Sequence, residues 1–306
     1  MSRYDDLGTR PARLRKLGTV DLDMVETTPV VFRNRLHRFE YVRERYWGNQ
    51  TGESYFRFID VDSAEATPSF GVGYHLGCAY VEDGKAFAYG TNAWGGERIR
   101  AFWSDDLEAW EEKTAIELPG WRVYNTSVCQ GREGYAMAIE VGDPPELVGK
   151  RFTIFFAEST DLLNWNLLPL DRVFSKEKYT ACPALRFLDD QYYMIYLEAY
   201  SGPSYKPHVV RSRDLASWEE SPRGAIMEPS LDDKMIANPN LTEDQVRRIS
   251  RAVDINNSDV DLCEYRGKTH VFYSWGNQQG TEFLARAVLD TGLRGLFRML
   301  FPEKKG

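Results

Sequence analysis

The chain has 306 residues, 42% of them hydrophobic and 13% aromatic, with a formal charge of −8 and a pI near 5.2. That supplies enough apolar side chain for one large core or two average ones. The acidic balance excludes a general electrostatic attraction to nucleic acid or to an anionic membrane, and no run of about 18 apolar residues is present to span a bilayer as a helix.

The first residues read MSRYDDLGTRPARLRKLG, with Arg10, Arg13, Arg15 and Lys16 clustered. They lack the apolar stretch of a secretory signal, and residues 1–18 are expected to be a solvated arm ahead of one domain, 19–306. Cys78, Cys129, Cys182 and Cys263 show no C-x-x-C spacing. They read as buried free thiols in a reducing compartment, which predicts a cytoplasmic location.

In chain order, residues 19–25 form one short strand. Next come hairpin-like pairs of apolar runs around tight polar turns. Val30–Phe32 pairs with Arg38–Val42, followed by Tyr55–Ile59. Cys78–Val81 pairs with Ala86–Tyr89, Val128–Gln130 with Tyr135–Ile139, Ala184–Leu188 with Tyr192–Leu197, and Val260–Tyr265 with Thr269–Trp275. Leu241–Ala252 predicts a helix, with Thr242 as N-cap and Gln245 completing a capping box. Leu293–Phe301 predicts a short covering helix.

A motif organises these pieces. Residues 104–110, 159–165 and 212–218 all read S-x-D-L-x-x-W, 55 and 53 residues apart. Ser and Asp bond nearby backbone groups in a turn, while Leu and Trp are expected to pack between neighbouring units. A fixed period of this size denotes a repeat architecture. Five units begin near Glu26, His75, Asn125, Thr180 and Asp259, with the helical insertion before the last. The reading is an all-β, single-domain, five-bladed β-propeller in which segment 19–25 completes the last blade and closes the ring.

In a propeller the starts of inner strands and the ends of second strands converge on a central funnel. Glu26, His75, Asn125, Thr180 and Asp259 stand at the former. Glu40 or Glu44, Asn92 with Trp94, Glu140, Glu198, and Trp275 with Asn277 and Gln278 stand at the latter. Glu140 and Glu198 close equivalent apolar strands, so they are expected to face one another as an acid/base pair. Either could instead pair with a buried arginine such as Arg186 or Arg211. In the polar run 254–261, period two puts Asp259 and Asp261 on one face. There Asn256, Asn257 and Ser258 offer donors to hydroxyls. The rival readings of that run are a hydrogen-bonded turn or a structural or funnel-bound calcium. With four histidines and no paired cysteines, no other metal or cofactor is expected.

The S-x-D-L-x-x-W turns and the five units, over about residues 26–292, resemble the five-bladed propeller glycoside hydrolases, similar to families 43, 32 and 130. In family 43 the resemblance implies Asp, Asp and Glu on the first three blades. Here those positions read Glu26, His75 and Asn125, so this chain would be a divergent member with a rearranged acid set. The expected function is glycoside hydrolysis. Glu140 and Glu198 would exchange the proton, Asp259 would hold a hydroxyl or tune a pKa, and Trp94 or Trp275 would be the sugar platform. Glu26, His75, Asn92, Asn125, Arg211, Asn257 and Gln278 would complete the substrate site. The partner is thus a carbohydrate. Phosphorolysis is an alternative, with His75, Arg57, Lys178 and Arg211 as phosphate ligands. A non-catalytic sugar-binding propeller is the third reading, disfavoured because the funnel residues differ between blades.

Overall fold

The computed structural model describes residues 14–46, 48–202 and 204–302. Arg10, Arg13 and most of the expected arm lie outside them. Five antiparallel sheets form the ring. Blade I holds Thr27–Phe32, Arg35–Val42 and Tyr55–Asp60. Blade II holds His75–Glu82, Lys85–Thr91, Arg98–Ser104 and Glu111–Glu117. Blade III runs Arg122–Gly131, Gly134–Asp143 and Thr153–Ser159, and two short segments, Asn166–Leu167 and Val173–Phe174, share its edge. Blade IV holds Thr180–Leu188, Gln191–Ala199, Tyr205–Ser212 and Trp218–Glu220. Blade V holds Asn256–Tyr265, Lys268–Gly276 and Glu282–Leu289, and its outer strand is Arg15–Leu22 from the chain start.

Closure of the ring by the first strand is as expected. The strand begins earlier than read, at Arg15, so Arg15 and Lys16 belong to the propeller and not to a solvated arm. Lys16 is placed by three acceptors, at 2.6 Å from Asp233 Oδ2, 2.6 Å from the Glu228 carbonyl and 2.8 Å from Asn257 Oδ1. The insertion helix runs Glu243–Arg251 with the Thr242–Gln245 capping box. The last helix, Leu293–Leu300, stacks Phe297 on Tyr193 at 4.0 Å and so covers the outer seam between blades IV and V. Among the described residues no helix is long and apolar enough to cross a membrane.

The three motif turns are built alike. In the second copy, Ser159 Oγ accepts from the Leu162 amide at 3.0 Å, and Asp161 Oδ1 accepts from the Leu163 and Asn164 amides at 2.9 and 2.8 Å. The other two copies repeat this geometry. These bonds hold Leu107, Leu162 and Leu215 at φ of 68°, 65° and 61°, a conformation unfavourable for a side-chain-bearing residue. Each Trp then reaches back to the preceding blade. Trp110 stacks on Phe70 at 3.8 Å, Trp165 meets Tyr89 edge-on at 5.8 Å, and Trp218 stacks on Phe156 at 5.5 Å.

Four inner strands carry one extra residue near the funnel. The register slips between His75 and Cys78, Val123 and Thr126, Ala181 and Ala184, and Ser258 and Asp261. Leu76, Cys182 and Asp259 sit in these bulges at φ of 53°, 49° and 50°. A bulge re-aims the side chains around it.

Trp165, 5% exposed, joins blade III to blade II. Trp165→Ala is expected to lower the unfolding free energy by about 3–5 kcal/mol, as for other large core truncations, measured by chemical denaturation.

Candidate active site

The bulges decide what faces the axis. Period-two counting puts Asp259 and Asp261 together, and both line the small cavity at the funnel floor, although the extra residue breaks the strict alternation between them. Asp261 is held there by a buried ion pair with Arg186, and Asp259 stands with Glu26, Asn125 and Cys182. Glu140 reaches the same place from the second strand of blade III. Its Oε2 accepts from Asn125 Nδ2 at 3.0 Å and from the Cys182 amide at 2.7 Å. Glu26, at the foot of blade I, is ion-paired with Arg43.

Three carboxylates therefore converge from blades I, III and V. Burial pushes the Glu140 carboxyl up to about 7 against the two hydrogen bonds it accepts, and the charges of Asp259 and Glu26 add to the rise. Burial likewise raises Glu26 to about 7, opposed by Arg43 and reinforced by Asp259. Near neutrality the cluster therefore holds protons that isolated carboxylates would have lost.

Above this floor opens a cavity of about 700 Å³ lined by Tyr41, Arg43, Glu44, Tyr46, His75, Trp94, Gln278 and Glu282, among others. His75 Nδ1 lies 2.8 Å from the Tyr41 hydroxyl, and burial lowers its pKa, so it is a neutral hydrogen-bonding group there. Trp94 is 52% exposed, with the Arg43 guanidinium 5.1 Å from its ring and Tyr124 edge-on at 6.4 Å. Its orientation is thus fixed while much of the ring stays open to the cavity.

Glu26, Asn125, Glu140 and Asp259 thus meet at the floor, and His75, Trp94 and Gln278 at the mouth. Five expected site residues go elsewhere. Glu198 does not face Glu140. It shares a strand face with Tyr196, which packs back on Phe174 of blade III, and it is bound by Lys178 at 2.9 Å. Glu140 lies on the opposite face of its own blade, toward blade IV, and a one-residue offset reverses a strand's face. Arg211 pairs with Glu219 at 2.7 Å and lies over Phe301, away from the funnel. Asn92 caps a local turn by accepting from the Arg98 amide at 3.1 Å. Asn257 is fully buried and holds Lys16. Trp275 is 1% exposed and donates to Thr19 Oγ1 at 2.9 Å, so it is core and not a platform.

The proposed phosphate ligands are likewise dispersed. Arg57 is bound to buried Glu40 at 2.7 Å, and Lys178 to Glu198 and Glu220. Of that set only His75 lines the cavity. As for calcium, among the described residues no group of three or more His, Cys, Asp or Glu side chains could hold a metal ion. The sequence reading missed Arg43, Tyr46 and Glu282. The first two follow directly on a second-strand end, where Glu44 was already a candidate. Glu282 opens a third strand, a position that carried no signal.

No family model matches the chain, and no curated protein matches it. Solved structures do. An α-L-arabinofuranosidase from Podospora anserina in complex with cellotriose is 8% identical, with a TM-score of 0.61 over 92% of this chain and 98% of that one. An endo-arabinase from Bacteroides thetaiotaomicron is 12% identical, with a TM-score of 0.57 over 93% and 98%. A GH43 β-xylosidase/α-arabinofuranosidase from a compost metagenome, in complex with xylotriose, is 15% identical, with a TM-score of 0.55 over 91% and 94%. At these identities the likeness is one of fold: the chain has the five-bladed propeller of these enzymes, as a divergent example.

The raised carboxyls carry a stability signature. A group whose folded pKa lies above its unfolded value contributes stability that is complete below the unfolded value, near 4.5 for Glu, and is lost as pH rises through about 7. Between pH 5 and pH 8 the wild type is expected to lose up to about 3 kcal/mol more than Glu140→Gln, measured by urea unfolding at both pH values.

Proposed function

We propose that this funnel breaks a glycosidic bond. The observation that supports it is the convergence of Glu26, Glu140 and Asp259 on one axis, with two of the three carboxyls raised to about 7. Glycoside cleavage needs a carboxylic acid to protonate the leaving oxygen and a carboxylate to activate water or attack the sugar. Glu140 suits the first role, being deeply buried and still protonated near neutrality. Asp259 supplies the second carboxylate from blade V. Glu26 stands third, tied to Arg43, and its own carboxyl is raised to about 7, so it shares the proton balance of the floor with Glu140. The sugar would enter through the wider cavity, against the open part of Trp94 and beside His75 and Gln278. Relatives in fold have been captured with cellotriose and xylotriose, in line with a carbohydrate ligand.

This assignment differs from a Glu140–Glu198 pair and can be told apart from it. In a screen of glycosides and oligosaccharides, run with and without phosphate, Glu140→Gln and Asp259→Asn are each expected to reduce kcat by at least about 100-fold with unchanged circular dichroism. Glu198→Gln is expected to stay within about threefold of the wild type, because its carboxylate is engaged by Lys178 outside the funnel. Full activity in Glu140→Gln, or no turnover of any glycoside by the wild type, would overturn the assignment. Turnover only with phosphate present would replace hydrolysis by phosphorolysis.

A further inference from the structure

A second carboxyl cluster lies away from the floor, where the insertion between blades IV and V is fastened to the ring-closing strand. The fastening is close. Gly18, at φ +104°, lets the Met235 carbonyl come against the strand, and a Cβ there would lie 2.2 Å from that oxygen. Thr19 bonds both neighbours of Ile236, donating to the Met235 carbonyl at 2.7 Å and accepting from the Ala237 amide at 2.9 Å. At the centre is Asp233, which is fully buried. Its Oδ2 accepts from Lys16 Nζ at 2.6 Å and from the Ser230 amide at 2.8 Å, and its Oδ1 accepts from the Tyr273 hydroxyl at 2.6 Å.

Asp254, at the other end of the insertion, is the anomaly. Both its oxygens are shielded from solvent and neither receives a hydrogen bond. The Asp233 carboxyl is close enough to act on it as a neighbouring charge. Three donors already mark Asp233 as the anion, and a carboxylate accepts about four. Lys16 has no proton to spare, since its three go to Asp233, Glu228 and Asn257. Lys234 and Asp232 flank the pair on the short turn Leu231–Lys234, and Lys234 donates to the Ser250 carbonyl at 3.5 Å. Among the described residues no donor reaches Asp254, and a proton held between the two carboxyls satisfies both acids.

We infer that Asp233 and Asp254 share one proton and act as a pH-operated clamp that holds the insertion, residues 223–255, on the closing strand. Losing that proton sets two anions side by side, with Lys16 bound to one of them and Lys234 nearby. Burial and the Asp233 charge raise Asp254 to about 7, with Lys16 and Lys234 opposing. The clamp is therefore complete below about pH 4, the ordinary aspartate value, and is lost as pH rises through about 7. The insertion also reaches the funnel. Arg248, on the helix Glu243–Arg251, donates to Asp23 at 3.0 Å, and Asp23 lines the cavity mouth. Release of the clamp loosens one wall of the entrance.

The test is hydrogen–deuterium exchange of peptides from 223–255, corrected for intrinsic rates, at pH 5.5 and pH 8.5, with peptides from blade II as the internal control. Wild-type protection is expected to fall about tenfold more in the insertion than in blade II. Asp254→Asn, whose amide supplies a permanent donor to Asp233, is expected to show no such difference. Equal pH responses in the two regions of the wild type, or an unchanged response in Asp254→Asn, would overturn the inference. If that variant does not fold, Asp254→Ala decides: with the second carboxyl removed, the extra pH response of the insertion is expected to disappear. An undiminished response in Asp254→Ala would overturn the shared proton.

Discussion

The molecule depends on one closure. Five sheets arranged around an axis share an apolar seam with each neighbour, and the ring is complete only when the first strand of the chain bonds to the last blade. Arg15–Leu22 does this along Glu282–Leu289, with pairings running from Arg15–Val288 to Leu22–Phe283. Lys16 and Thr19 extend the closure inward, to Asn257 on the inner strand and to Trp275 on the second. Without that join, blade V would present an open edge and the carboxylates that meet on the axis would have no common enclosure.

The enclosure creates the chemistry. Isolated in water, Glu26, Glu140 and Asp259 would be three ordinary anions. Drawn from separate blades into a narrow polar space, Glu26 and Glu140 are raised in proton affinity by burial, and the charge of Asp259 adds to the effect. The inner-strand bulges perform the aiming. They bring Asn125, Cys182 and Asp259 to one small cavity, where Asp261 is taken up by Arg186. Regular strands make the frame, and their irregularities make the site.

The frame was legible in the sequence because its determinants are local. Ser, Asp, Leu and Trp of each motif turn bond and pack within a few residues or one blade away, so the motif alone announces the turn and its period. The capping box of Thr242 and Gln245 is local in the same sense. Glu140, Asp259 and Trp94 could be placed at the funnel because they stand at strand ends that must face the axis. What escaped was parity. The bulges carry Leu76, Cys182 and Asp259 in the left-handed region without a glycine to signal it, so counting by twos ran through them unbroken. The same problem across blades made Glu198 look equivalent to Glu140, although the two occupy opposite faces of their strands. Trp275 and Asn257 were misplaced for a different reason: the insertion and the closing strand bury them, and both come from distant sequence.

The motif tryptophans also set where one building block ends and the next begins. Trp110, Trp165 and Trp218 are each encoded after the third strand of one blade but complete the hydrophobic packing of the blade before it. A segment cut at the sheet boundaries would leave behind the ring that seals it and carry away one that belongs to its neighbour. The portion that carries its own seal is longer than the visible sheet: for blade II it runs from the inner strand at His75 to Trp165, beyond the third strand of blade III. Any shuffling of blades within such propellers would have to respect that overlapping frame, which binds each repeat to its neighbour's sequence.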